Sequence, residues 1–126
     1  MAHIWIGPLA PPEEWMRTWP ALNPGWSYRV YDNAFCGSRS FRTQHLIDED
    51  MRRAQYAGAA DLIRYELLLE FGGFIPPADA ACIRPVAEIF EKGSAFTCYE
   101  NEFVRGKLVA PVLAAVVEDL RSGVPA

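Results

Sequence analysis

Short apolar runs alternate with longer segments of helical periodicity along this chain, and this alternation limits the fold more than any other feature. The first run, residues 3–6, is closed by Gly7 and Pro8, which is typical of a buried strand followed by a turn. A second strand is predicted over residues 26–31, after the break at residues 23–25. Strands that alternate with helices predict an α/β fold with a mainly parallel sheet flanked by helices, in which ligands bind beyond the carboxyl ends of the strands.

The first helix is expected to start at Pro11 and Pro12, because proline is tolerated in the first turn of a helix. Trp15, Trp19 and Leu22 follow at i, i+4 and i+7, a spacing that gives one buried stripe.

The strongest helical pattern covers residues 59–71 and is ended by Gly72 and Gly73, where a left-handed backbone is needed. Residues 74–75 then start a strand that Pro76 and Pro77 cut short, since proline cannot donate to a ladder. The remaining predicted elements are a helix near residues 46–55, a strand over 94–99 and a final helix over 108–120.

Composition limits the class of protein. A chain of 126 residues is long enough for one domain, here residues 1–126, and half of its residues are apolar. The net charge of −4 argues against a nucleic-acid or anionic-membrane partner, and no apolar run reaches the roughly 18 residues of a transmembrane segment. Cys36, Cys82 and Cys98 form no CxxC pair, which indicates reduced thiols and a cytoplasmic protein.

Two charged side chains in the helix over residues 59–71 are the chemical feature that the sequence singles out. At 100° per residue, Asp61 and Arg64 fall in the same arc as the large side chains of Tyr65, Leu68 and Phe71. The residues of the opposite side, which we expect to face solvent, are Ile63, Glu66 and Glu70. Charges on a buried face cost several kcal/mol unless they are paired. Asp61 and Arg64 are therefore either an internal i, i+3 pair that satisfies itself or groups that bind a polar ligand.

Several separated motifs resemble one known family. Residues 60–68 (ADLIRYELL) and 70–74 (EFGGF) closely resemble the signature of the DXD-containing sugar-binding region of family-32-type glycosyltransferases. That family includes yeast-type mannosyltransferases and bacterial capsule enzymes, with clostridial glucosylating toxins as distant relatives. The other matching motifs, in chain order, are HIWIG at 3–7, Trp15, NPGW at 23–26, RVYD at 29–32, CIRP at 82–85 and YEN at 99–101.

The resemblance implies a GT-A-like nucleotide-diphospho-sugar transferase fold that binds a UDP- or GDP-hexose with Mn²⁺ or Mg²⁺ and transfers the hexose, with retention, to an unknown acceptor. It places Trp5 near the base of the donor, although a core aromatic is an equal alternative for this residue. It assigns contacts with the donor sugar and phosphates to Asp61 and Arg64. A cation and a metal are well suited to stabilising a diphosphate leaving group.

The chain departs from the family at the metal motif, where Pro77 replaces the first aspartate of Asp-x-Asp and only Asp79 remains. One carboxylate and a diphosphate would hold a hard cation weakly. Members of the family also continue beyond the position of Ala126, so we expect a fold truncated at the C-terminus that associates as a homo-oligomer through the last helix or residues 74–75. A catalytically dead relative that acts as a sugar-nucleotide-binding or structural module is the alternative to an active transferase.

Overall fold

The computed structural model describes residues 1–90, and in this part of the chain two short strands are each followed by two or more helices. The two strands are β1 (Ala2–Ile4) and β2 (Arg29–Tyr31). The helices are α1 (Glu13–Met16), α2 (Thr18–Leu22), α3 (Asn33–Gly37), α4 (Gln44–Arg52), α5 (Tyr56–Phe71) and α6 (Ala87–Phe90). The predictions for residues 94–99, for residues 108–120 and for Cys98 lie outside the described residues.

The strands β1 and β2 form a parallel two-stranded sheet in which His3 is the register partner of Val30. On the other side of β1, the amide of Ala2 donates to the carbonyl of Phe74 at 2.9 Å. Residues 74–75 are not among the strands of the described part of the chain, although this bond places Phe74 beside β1. Pro76 and Pro77 have no N–H with which to extend a strand there. The α/β prediction is confirmed as a mixed fold with a parallel pair of strands.

The main hydrophobic core lies between the sheet and helix α5. Ala2 and Ile4 of β1, and Ile6 two residues after it, are buried together with Ile63 and Leu67 of α5. The other buried members of this cluster are Tyr31, Phe41, Ile47, Ala59 and Ile75. Burying an aliphatic side chain of this size contributes about 1.5–3 kcal/mol, so this interface fixes the position of α5 against β1.

A second, smaller cluster joins α2 to the segment after α5. Trp19, Cys82 and Val86 are buried in it, and the Trp19 indole N–H donates to the carbonyl of Ala80 at 2.7 Å. The buried side chain of Asn23 accepts from the amide of Val86 at 2.8 Å. These bonds tie residues 80–86 to the end of α2. Cys36 and Cys82 are both free thiols.

The predicted first helix is divided into α1 and α2 at Arg17, and its predicted buried stripe is wrong. Met16 and Trp19 are buried, whereas Trp15 and Leu22 are 49% and 36% exposed. The division explains the error, because a period of 3.6 residues carries over from one turn to the next only within a continuous helix.

The other predicted helices are present with shifted starts: α4 begins two residues before the predicted 46–55 segment, and α5 begins three residues before residue 59. Helix α5 ends as predicted, with Gly72 and Gly73 at φ values of 67° and 86°. Among residues 1–90, no helix combines the length and the apolar character needed to cross a bilayer.

Candidate functional site

The parallel strands end at a groove of about 570 Å³, which we call the strand-end groove. Trp5 follows the last residue of β1 and Asp32 follows the last residue of β2, and both line this groove. Tyr28 and Val30 contribute to its wall from the second strand segment, and Glu13 and Arg17 from the region of α1. The groove therefore occupies the position, beyond the carboxyl ends of the strands, where parallel α/β folds bind ligands.

The loop after β1 is held in one conformation, and this fixes the surroundings of Trp5. The side chain of Asn33 accepts from the amide of Gly7 and donates to its carbonyl, each at 2.9 Å. Gly7 has a φ of 102°, and a Cβ atom there would lie 2.9 Å from Cγ of Tyr56. Trp5 is half-buried, and its indole N–H donates to the carbonyl of Leu9 at 2.9 Å. Only glycine fits this turn, because the backbone is left-handed and Tyr56 fills the space of a side chain.

Tyr28 is attached to the interior through His3. The Tyr28 hydroxyl lies 2.7 Å from Nδ1 of His3, whose ring is fully buried and contacts the rings of Tyr28 and Trp19 edge-on. Burial, and secondarily the positive charge of Arg64, lower the pKa of His3 to about 4. His3 is therefore neutral at pH 7.

Asp32 has hydrogen-bonding capacity left after it has capped helix α3. Its Oδ1 accepts from the amide of Phe35 at 2.9 Å, and the residue is exposed. Within residues 1–90 its carboxylate takes part in no ion pair, whereas the carboxylate of Glu13 lies 3.2 Å from the guanidinium of Arg17. The unbalanced charge in the groove wall is therefore the negative charge of Asp32.

The predicted orientation of α5 is wrong, although Glu70 is exposed as expected. Ile63 and Glu66, which we expected to face solvent, are buried, and Phe71, which we expected in the core, is 55% exposed. Asp61 and Arg64 form an ion pair with each other, and their side chains are 56% and 24% exposed. The pair therefore lies at the edge of the interface rather than in a closed core. The signal for the correct face is the i, i+4, i+8 spacing of the smaller residues Ala59, Ile63 and Leu67.

Glu66 has a structural role that the sequence did not predict. Its carboxylate accepts from the amide of Arg42 at 2.7 Å, and from the amide and hydroxyl of Thr43 at 2.9 and 2.6 Å. These groups lie at the start of α4, where the first amides have no partner within the helix. Glu66 thus caps α4 from a neighbouring helix, which explains how a carboxylate is tolerated in the core.

Asp79 lies in the segment after α5, where Pro77 and Asp79 are exposed and Ala78 between them is buried. Neither Asp79 nor the Asp61–Arg64 pair is part of the strand-end groove. Of the four predicted site residues, only Trp5 lines it. Within the described part of the chain, no three His, Cys, Asp or Glu side chains are grouped so that they could hold a metal ion.

The residues in or behind the groove wall that the sequence did not single out include His3, Tyr28 and Asp32. For Asp32 a signal was present, because it directly follows a predicted strand and polar residues at such positions reach ligands. The contact between His3 and Tyr28 joins positions 25 residues apart and has no sequence signature.

Comparison of the chain with protein-family models, with curated proteins and with solved structures finds no match. The resemblance to family-32-type glycosyltransferases therefore stays a hypothesis that rests on the quoted motifs.

Proposed function

We propose that this chain is a glycosyltransferase-type domain that binds a nucleotide sugar, a UDP- or GDP-hexose, with its base in the strand-end groove. The proposed reaction is transfer of the hexose, with retention, to an acceptor of unknown identity. The observation that carries the proposal is that Trp5 and Asp32, each directly after one of two parallel strands, line the same groove. The family resemblance independently predicts the base of the donor beside Trp5.

The dimensions and lining of the groove support a small-molecule ligand. Its volume of about 570 Å³ falls within the roughly 300–1,000 Å³ of typical ligand pockets. Its wall combines apolar and aromatic side chains with the polar side chains of Glu13, Arg17, Asp32 and Asn33. The clamp of Asn33 on Gly7 and the bond from Trp5 to Leu9 keep this wall in place without a ligand. A preformed wall reduces the entropic cost of binding.

In this proposal Asp61 and Arg64 bind the sugar and phosphates of the donor, and Asp79 binds the cation, Mn²⁺ or Mg²⁺. Arg64 is the candidate for the phosphates because a guanidinium binds phosphate oxygens in a bidentate manner. Asp79 offers a single carboxylate, so the proposal predicts weak binding of the cation when no diphosphate is bound.

A catalytically inactive sugar-nucleotide-binding module is the second candidate. The sequence of residues 77–79, Pro-Ala-Asp, favours it, because the first carboxylate of the family's metal motif is missing. In this case the strand-end groove would still bind the nucleotide.

Two measurements test the proposal and separate its two forms. Calorimetry with UDP and GDP is expected to show binding that a Trp5→Leu variant weakens about tenfold or more and that the control Trp15→Leu, on exposed α1, leaves unchanged. Hydrolysis of UDP- or GDP-hexoses in the presence of Mn²⁺ then indicates an active transferase, and binding without hydrolysis indicates the inactive module. If neither nucleotide binds, or if Trp5→Leu binds as well as the parent, the groove is not the donor site.

A further inference from the structure

Three polar side chains of the strand-end groove, those of Trp5, Tyr28 and Asn33, are already bonded within the protein. The indole N–H of Trp5 is bonded to Leu9, and the hydroxyl of Tyr28 is bonded to His3. The side-chain amide of Asn33 accepts from the N–H of Gly7 and donates to the carbonyl of Gly7. Each of these bonds occupies hydrogen-bonding capacity that would otherwise be available to a ligand.

Asp32 differs from these three side chains. A carboxylate has about four lone-pair positions on two oxygens, and the cap of α3 uses one of them. The nearby charges of Glu13 and Arg17 compensate each other, whereas Asp32 takes part in no ion pair among residues 1–90. A ligand that places donors against Asp32 gains charge-assisted hydrogen bonds, and a ligand that places carbonyl oxygens there is repelled.

The two bases considered for the donor differ at the edge that would meet such a carboxylate. Guanine presents two adjacent donors, N1–H and the N2 amino group, which match the two oxygens of a carboxylate. Uracil presents one donor, N3–H, between two carbonyl oxygens. Building on the proposed function, we propose that Asp32 selects guanine, so that the donor is a GDP-hexose rather than a UDP-hexose.

The test is calorimetry of the full chain with GDP, UDP and inosine diphosphate, a GDP analogue that lacks the N2 amino group. GDP is expected to bind about tenfold or more tightly than UDP, because it makes one additional charge-assisted hydrogen bond. Inosine diphosphate is expected to lose most of this advantage, since it keeps N1–H alone. These three ligands test the proposal on the unmodified protein, without dependence on the folding of a variant.

Asp32→Asn is the matched variant, because asparagine can still cap α3 by accepting from Phe35 while it turns one oxygen into a donor. This variant is expected to bind GDP about tenfold more weakly than the parent, and its affinity for UDP is expected to change by less than about threefold. Asp48→Asn, an exposed change on α4, is the control and is expected to leave both affinities unchanged.

Equal affinity for GDP and UDP, or a GDP preference that survives Asp32→Asn, overturns the selection of guanine and leaves the proposed nucleotide site standing. Absence of binding by all three diphosphates overturns the nucleotide site together with the selection. The two failures are therefore distinguishable.

Discussion

Glu66 and Asp32 both accept hydrogen bonds from the backbone at the start of a helix, yet they lie in contrasting surroundings. Glu66 is buried, and both of its oxygens are occupied by the residues that precede α4. Asp32 is exposed in the wall of the strand-end groove, and one cap bond to Phe35 leaves capacity on its carboxylate. The comparison indicates where a site can lie: a fully satisfied carboxylate belongs to the framework, whereas a partly satisfied one in a preformed groove is available to a ligand.

The largest effect that this comparison predicts is on stability. Glu66→Gln replaces one acceptor oxygen with an amide N–H₂ that faces buried donors, so we expect a loss of about 4 kcal/mol in the free energy of unfolding. Asp32→Asn is the matched change, since asparagine preserves the cap of α3, and we expect it to cost less than about 1 kcal/mol. Urea denaturation of both variants measures the two values. Similar losses would show that Asp32 belongs to the framework as much as Glu66 does.

The buried ring of His3 predicts a pH dependence. In the folded protein the pKa of His3 is about 4, lowered from the ordinary value of 6.5, so folding favours the neutral imidazole. The contribution of this ring to the free energy of unfolding is therefore complete above about pH 6.5. As the pH falls towards 4, the unfolded chain binds the proton first, and stability decreases by about 3 kcal/mol.

Urea denaturation between pH 7 and pH 4 measures this dependence in the parent and in His3→Gln. The variant is expected to lose less stability than the parent over this range, because carboxylates contribute equally to both. A His3→Gln profile parallel to that of the parent would contradict a neutral buried His3.

The turn at Gly7, next to the groove wall, is expected to tolerate substitution less well than an ordinary surface turn. Gly7→Ala forces a Cβ atom against Tyr56 in a left-handed backbone and should cost about 2 kcal/mol. Gly25→Ala is the control, because a Cβ atom at Gly25 has no heavy atom within 4 Å. Thermal unfolding of the two variants checks this difference, and equal melting temperatures would show that the turn at Gly7 is not constrained.

The smallest effect is expected at the exposed segment that carries Asp79. Pro77→Asp restores a second carboxylate and should change stability by less than about 0.5 kcal/mol while strengthening Mn²⁺-dependent nucleotide binding. Pro77→Asn removes the proline without adding charge and is the control. Calorimetry with and without Mn²⁺ compares them, and identical Mn²⁺ dependence in the two variants would exclude position 77 from a metal site.

The sequence predicted those elements whose determinants are local. The apolar run closed by Gly7 and Pro8 located the first strand, and the glycine pair after residue 71 located the end of α5. The orientation of α5 was wrong because its largest apolar residues were taken as the buried side. The contacts with β1 and α4 instead select the face of Ala59, Ile63 and Leu67, where small and branched side chains allow close packing.

The candidate site was predictable only in part, because some of its contacts join elements that are distant in the sequence. Trp5 was identified because it directly follows a strand, and Asp32 carries the same signal. The capping of α4 by Glu66 and the bond from His3 to Tyr28 join residues 23 to 25 positions apart. Such contacts depend on how the elements pack, which neither periodicity nor motif spacing reveals.

The most direct test of the nucleotide site is the indole N–H signal of Trp5, followed by ¹H–¹⁵N NMR during a titration with GDP. The chain has four tryptophans, and single Trp→Phe variants assign their indole signals. A nucleotide base in the strand-end groove is expected to shift the Trp5 signal, with the signals of exposed Trp15 and of Trp26 in the second core cluster unchanged. A saturable titration in which Trp5 does not move, while backbone amides shift elsewhere in the molecule, would contradict the assignment of the groove as the nucleotide site.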